Sequence, residues 1–289
     1  NSFCTLLALR RRMTDYTYVG VGITTVVVLV LYLAAHPDPV PTPELPARGG
    51  RRASPTHCSS PFGSFNGVAM NVTAYSNCND DYISEFDHSV PIADVFPSGM
   101  PDGCDLGTCP ANVTTGLKWQ CVEYGRRFLL THHQAVFGSV WGAYNIWALP
   151  NVTHYKLTIG MQHNDATKVA TCRCDAVVRP WQTIANAGSS DVWVRVGDLV
   201  IYNHGDVGEY GHVCAVVGVE HVKPENATSP VALVRVAEEN WNNAPWPVTS
   251  GPHAHARTLL LVPRKSDGHL VLQDQRKDGM YPILGVKRF

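Results

Sequence analysis

Apolar and polar positions alternate with period two over much of the second half of the chain, and with helical spacing over one stretch near its middle. Val192 to Val196, Leu199 to Tyr202, Gly211 to Val217 and Val231 to Asn240 read as strands, with shorter ones around Leu259 to Val262 and Leu270 to Leu272. From Cys121 onward, Val122, Phe128 and Leu129 recur at helical spacing with no intervening proline, which predicts a helix with Cys121 in its first turn. Glu123 and Arg127, four apart, mark its solvated face. Gly125 lies one turn above Cys121 and is expected to admit another backbone beside the thiol. A second helical pattern runs from about Val140 to Leu149 and stops at Pro150. Residues 61 to 118 hold many turn signals and few periodic runs, and read as an irregular lead into the first helix. Helical segments followed by antiparallel strands predict an α+β domain.

Ahead of this domain the pattern changes twice. Residues 17–35 carry no charge and would span roughly 29 Å as a helix, about one hydrocarbon core. With Arg10, Arg11 and Arg12 before it, this segment predicts a transmembrane signal anchor, residues 1–16 being a cytosolic tail. A cleaved signal peptide ending near Ala34 and Ala35 is the alternative. Residues 36–60, rich in Pro, Gly and Arg, predict a stalk, and 61–289 the folded domain. The expectation is a single-pass type II membrane protein with its domain extracellular or lumenal.

Composition narrows the function classes. The 289-residue chain has a formal net charge of −1, so no dense cationic surface is available for nucleic acid. No phosphate-binding glycine loop, Gly-X-Ser-X-Gly or His-Glu-X-X-His is present, which removes nucleotide, serine-hydrolase and zincin readings. Nine cysteines, with Asn-X-Thr sequons at Asn71, Asn112, Asn151 and Asn226, predict a glycosylated, oxidising setting. Cys58, Cys78, Cys104, Cys109, Cys172 and Cys174 are the disulfide candidates, with the pairing open. Cys172 and Cys174 are too close for an easy mutual bridge, so each reaches elsewhere. Without a Cys-X-X-Cys pair, no zinc is expected; no metal and no cofactor are called for.

The candidate chemistry gathers around Cys121. A cysteine at a helix N-terminus sits where unpaired N–H groups and the macrodipole stabilise an anion. In the strand that opens at His212, His212, Cys214 and Val216 share a face; in the next, Val234, Val236, Glu238 and Asn240 do. If the valines face the core, Glu238 points inward and needs a partner, which His212 can supply. Arg235 and Glu239 are then expected to satisfy each other outside. Cys121 as nucleophile, His212 as base and Glu238 as orienting acid make a thiol-protease-like triad acting on a peptide or amide substrate. The helix-start N–H groups, with the Gln120 side chain, would meet the oxyanion. His204 is an alternative base. His132 and His133 read as solvated helix-end residues, Cys214 as a buried apolar thiol, Trp241 and Trp246 as packing, and Trp119 as a wall of the cleft.

The blocks Trp119-Gln120-Cys121-Val122-Glu123-Tyr124-Gly125-Arg126-Arg127-Phe128-Leu129, Gly211-His212-Val213 and Ala237-Glu238-Glu239-Asn240 resemble the three signature blocks of the CHAP family of cysteine- and histidine-dependent amidohydrolases and peptidases. Lesser likenesses lie in Pro61-Phe62-Gly63, Gly67-Val68-Ala69, Gly197 to Tyr202 and Ile283-Leu284-Gly285, so the resemblance covers most of residues 61–289. It is closest to the amidase domain of glutathionylspermidine synthetase/amidase and to membrane-bound D-alanyl-glycyl endopeptidase-like proteins. The resemblance implies a papain-like fold, with the catalytic helix packed on an antiparallel sheet. It also implies Cys121, His212 and Glu238 as the catalytic residues, Asn240 as polar support and Arg126 as an aid to substrate placement. Some phage-lysin relatives bind calcium through aspartates just before the cysteine; Thr114 to Cys121 contains none, so no calcium is expected there. The expected substrates are D-alanyl-glycyl-type bacterial wall peptides, with a glutathionylspermidine-like glycyl amide as the alternative. A catalytically silent binding ectodomain is the rival of another class.

Overall fold

Residues 58–79, 82–164, 167–205, 209–275 and 282–289 are described by the computed structural model. Strand formation begins early. Phe65–Ala69 (β1) pairs antiparallel with Val72–Tyr75 (β2), and Asp87–Pro91 (β3) with Asn112–Leu117 (β4). The helix Cys121–His133 (α1) follows, and ends where Gln134 adopts left-handed φ and donates its N–H to Leu130 O. Ala135–Phe137 (β5) joins a long hairpin, Asn151–Asn164 (β6) and Thr167–Pro180 (β7), in a three-stranded sheet.

The remaining strands are Gln182–Ala185 (β8), Leu199–Tyr202 (β9), His212–His221 (β10), Ala232–Ala237 (β11), Arg257–Pro263 (β12), Leu270–Gln273 (β13) and Ile283–Arg288 (β14). They form one curled antiparallel sheet in the order β13-β12-β11-β10-β9-β14-β8. Period-two alternation gives it two apolar faces. Leu199, Ile201, Val213, Ala215 and Ala237 pack with Tyr124, Phe128 and Leu129 of α1. Val200, Tyr202, Cys214, Val216, Val234, Val236, Leu259 and Leu261 form a second core on the other face. Burying a side chain of this size stabilises by about 1.5–3 kcal/mol, so these two layers fix the strand register.

Three disulfides close the irregular parts: Cys58–Cys78, Cys104–Cys172 and Cys109–Cys174, with Cα separations of 4.3, 4.8 and 5.8 Å. Cys172 and Cys174 lie two apart on β7 and each bridges to the loop before β4. Among the described residues Cys121 and Cys214 are the free cysteines, both buried.

Several expectations are corrected. The α+β, papain-like class gives way to a mostly β architecture, with a single 13-residue α-helix among the described residues. The difference arises because the turn-rich region before Cys121 folds into the β1–β2 and β3–β4 hairpins, and residues 151–180 form the longest strand pair. The Val140–Leu149 pattern yields only a short 3-10 helix, Ala143–Ala148. Val192–Val196 forms no strand: the chain turns at Val196 and Gly197, and Arg195 and Asp198 close that turn, with the Arg195 N–H given to the Asp198 carboxylate at 2.8 Å and the Asp198 N–H to Arg195 O at 3.1 Å. Glu123 and Arg127 are buried rather than solvated. What approaches Gly125 is a side chain, not a backbone: a Cβ there would lie 3.4 Å from Val213.

The type II membrane placement does not stand either. No helix among the described residues is long and apolar enough to cross a membrane. The segments assigned to tail, anchor and most of the stalk, residues 1–16, 17–35 and 36–57, lie outside the described residues.

Candidate active site

α1 begins at Cys121, at the end of the sheet where β10 starts with His212 and β11 runs out into Glu238. Gly211 carries φ +64, and a Cβ there would sit 2.6 Å from Tyr202 O, so only glycine lets the chain turn into β10 at this point. His212 and Glu238 continue the face of Cys214, Val216, Val234 and Val236, and both are buried. Cys121 is 8% exposed.

His212 Nε2 and Glu238 Oε2 are 2.8 Å apart. The Cys121 side chain lies close enough to the same imidazole to act on its charge. Burial works against a charged ring, but the Cys121 charge and hydrogen bond, followed by those of Glu238, raise the His212 pKa to about 9. Burial alone would raise Glu238; the Arg257 charge and hydrogen bonds from His212 and Arg257 bring it down to about 2. At neutral pH the imidazole is therefore protonated between sulfur and carboxylate.

Around this line stands a layer of polar and aromatic groups. Arg257 grips Glu238 with Nε to Oε1 at 2.5 Å and a terminal nitrogen to Oε2 at 2.9 Å. Trp241 lies 4.5 Å from the His212 ring and 3.9 Å beneath the Arg257 guanidinium. Asn240 donates to Gln120 Oε1 at 2.8 Å, and Gln120 Nε2 donates to Asn77 Oδ1 at 3.1 Å and Tyr82 O at 3.0 Å. Both amide hydrogens of Gln120 are thus engaged, which removes its side chain as an oxyanion donor. That side chain does not cap α1 either, so it leaves the first-turn N–H groups beside the sulfur uncapped.

The other candidates fall in different places. Trp119 packs on Tyr75 at 4.3 Å and His88 at 5.2 Å, one residue before Gln120. Arg126 is not brought to the triad: it lies about 140° round the helix from Cys121, donates to Thr114 O and sits 5.8 Å from the Phe137 ring. His204 packs edge-on against Tyr144 at 5.2 Å. His132 and His133 are half-buried rather than solvated, and burial lowers their pKa. Arg235 pairs with Glu220, while Glu239 is buried and takes Arg127 at 2.9 Å. The sequon residues Asn71, Asn112, Asn151 and Asn226 are all exposed.

Sequence reading missed Arg257 and Asn77. A signal for Arg257 existed: it shares the alternation of Leu259 and Leu261, both fully buried, so an inward guanidinium needing a carboxylate was implied. Asn77 sits in a coil with no periodic signal.

No protein-family model matches the chain, and no curated protein matches it.

Proposed function

We propose that this protein is a thiol-dependent amide or peptide bond hydrolase of the CHAP type, with Cys121 as nucleophile, His212 as general base and acid, and Glu238 as the orienting carboxylate. The reading rests on the three motif blocks and the site's geometry, and takes nothing from a papain-like fold. The observation that carries it is one buried imidazole that meets Glu238 at 2.8 Å and feels the Cys121 side chain beside it.

The chemistry follows from that arrangement. The Cys121 sulfur attacks the amide carbonyl, and the oxyanion is met by N–H groups at the start of α1. His212 gives its proton to the leaving amine as the C–N bond breaks, leaving a thioester. Water then loses a proton to His212 as its oxygen attacks the thioester; the C–S bond breaks, the acid leaves, and the sulfur is again an anion beside a protonated His212. Glu238 keeps the ring in one orientation and favours its charged form.

The low exposure of the sulfur favours a narrow, unbranched acyl group such as glycyl. Three disulfides and exposed sequons favour an oxidising compartment, and so a D-alanyl-glycyl-type wall peptide over a cytosolic glutathionylspermidine-like amide. The test is digestion of purified peptidoglycan and of a glycyl-amide peptide by wild type and Cys121→Ala, with fragments read by mass spectrometry. Cleavage of wall peptides by wild type alone supports the reading. Cleavage of the glycyl amide alone reverses the substrate order, and cleavage of neither leaves a binding protein.

A further inference from the structure

Arg257 lies outside every motif block, yet it is the most heavily committed cation in the site. It opens β12, opposite Val236 of β11 and one step along from Glu238. Its guanidinium meets both oxygens of Glu238, with Nε on Oε1 at 2.5 Å and a terminal nitrogen on Oε2 at 2.9 Å. The second terminal nitrogen bonds the Asp274 carboxylate, and the Tyr202 hydroxyl donates to that carboxylate at 3.1 Å. The plane rests 3.9 Å from the Trp241 ring centroid, and the same indole lies 4.5 Å from the His212 imidazole. A lysine, as a point charge, could not make this planar, two-oxygen contact.

We infer that Arg257 is a positioning residue of the reaction: by gripping both oxygens of Glu238 it locks that carboxylate, ionised, against Nε2 of His212. The inference rests on the proposed Cys121–His212–Glu238 triad and says what makes it hold. A buried glutamate with only an imidazole for a partner has two ways out of its role: it can take up a proton, or it can rotate away. The bidentate grip closes both, because protonation would cost the ionic contacts and rotation would break one of them. Asp274 and Trp241 fix the arginine in turn. The ionisable groups facing the Glu238–Arg257 pair are His212 and Cys214 on β10, Tyr202 on β9 and Asp274 after β13. Burial holds Tyr202 and Cys214 neutral, so the charge seen by His212 is set by the carboxylate and its arginine.

The test uses the rate of Cys121 alkylation by iodoacetamide, resolved by peptide mass spectrometry, from pH 4 to pH 10 in the full chain. In wild type the sulfur should react well faster than a free cysteine, and keep that advantage at mildly acidic pH. In Arg257→Gln the carboxylate takes up a proton at mildly acidic pH, and Cys121 reactivity should fall at least tenfold between pH 7 and pH 4.5. Arg257→Lys keeps a charge but only one contact, so its acid limb should lie between the two; this variant serves if the glutamine form does not fold. In a Glu238→Gln background, Arg257→Lys should leave the pH profile unmoved. A profile in either arginine variant that parallels wild type, merely scaled, overturns the positioning role and leaves Arg257 structural. A wild-type Cys121 no faster than an ordinary thiol overturns the triad itself, and the inference with it.

Discussion

Glu238 and Glu239 are neighbours in the chain, yet arginines from different elements hold them: Glu238 by Arg257 of β12 and Glu239 by Arg127 of α1. The two residues follow directly on the end of β11, and the peptide between them joins the carboxylate at His212 to the helix that carries Cys121. The position of the sulfur relative to His212 is thus set partly by the Glu239–Arg127 contact, six residues further along α1.

That contact predicts unequal mutational costs. Glu123 accepts from Arg127 Nε, Thr115 Oγ1 and His88 Nδ1 at 2.9, 2.7 and 2.9 Å; burial would raise its pKa, but the Arg127 charge, with the His88 and Arg127 hydrogen bonds, holds it down to about 2. Glu239 has fewer donors; burial, reinforced by the Glu123 charge, pushes it well above the usual carboxylate range despite Arg127. Glu239 is therefore the member of the pair that takes up a proton more readily. Glu239→Gln should change stability by less than about 1 kcal/mol at pH 7. Arg127→Met strands a buried carboxylate and should cost about 3–5 kcal/mol. Thermal unfolding of the two variants checks the contrast.

The pH dependence of activity follows from His212. Its folded pKa of about 9 lies above the ordinary value of 6.5, so the imidazolium is retained through neutral pH. Its contribution to stability is complete below 6.5 and is lost as pH rises through about 9. Glu238 has the opposite sign: its contribution is present above 4.5 and lost as pH falls through about 2. The rate of amide cleavage should therefore decline on an alkaline limb near pH 9, read from kcat/KM. His212→Ala should lower the rate by about a hundred- to ten-thousand-fold.

Gly211 carries a prediction of its own. Alanine there needs both φ +64 and a Cβ 2.6 Å from Tyr202 O, so the turn into β10 must move. Gly211→Ala should lose most activity through displacement of His212, with the loss larger than its change in melting temperature explains.

The disulfides should be separable from the reactive thiol. Peptide mapping without reduction is expected to find Cys58–Cys78, Cys104–Cys172 and Cys109–Cys174, with Cys121 and Cys214 unpaired. Replacing both Cys109 and Cys174 by serine should cost about 2–5 kcal/mol in unfolding experiments.

Sequence periodicity reached the buried parts of this molecule and missed the rest. Leu199–Tyr202 and the runs around His212, Val234, Leu259 and Leu270 alternate or run apolar because each strand buries at least one face in a core. The β6–β7 hairpin was not foreseen although Tyr155, Leu157 and Ile159 alternate, since Ile159 and Val178 are 63% and 67% exposed and the pattern marks no buried face. The hairpins before Cys121 were hidden by their short strands and frequent turns. Cys121, His212 and Glu238 were singled out from strand faces and motif blocks, and they lie together in the structure. The buried charges were harder. Glu123 and Arg127 carry the spacing of an exposed helix pair, and nothing local in the sequence tells such a pair from one covered by Glu239 and His88.

The central claim is that the Cys121 sulfur forms a covalent acyl intermediate with an amide substrate. Purified protein should be mixed with peptidoglycan peptides or a glycyl-amide peptide, quenched in acid within the first turnovers, and mapped by mass spectrometry. The account predicts an acyl adduct on the peptide bearing Cys121, absent from Cys121→Ala and accumulating in His212→Ala only far more slowly. Hydrolysis that proceeds equally in Cys121→Ala, or an unmodified Cys121 during active turnover, would contradict it.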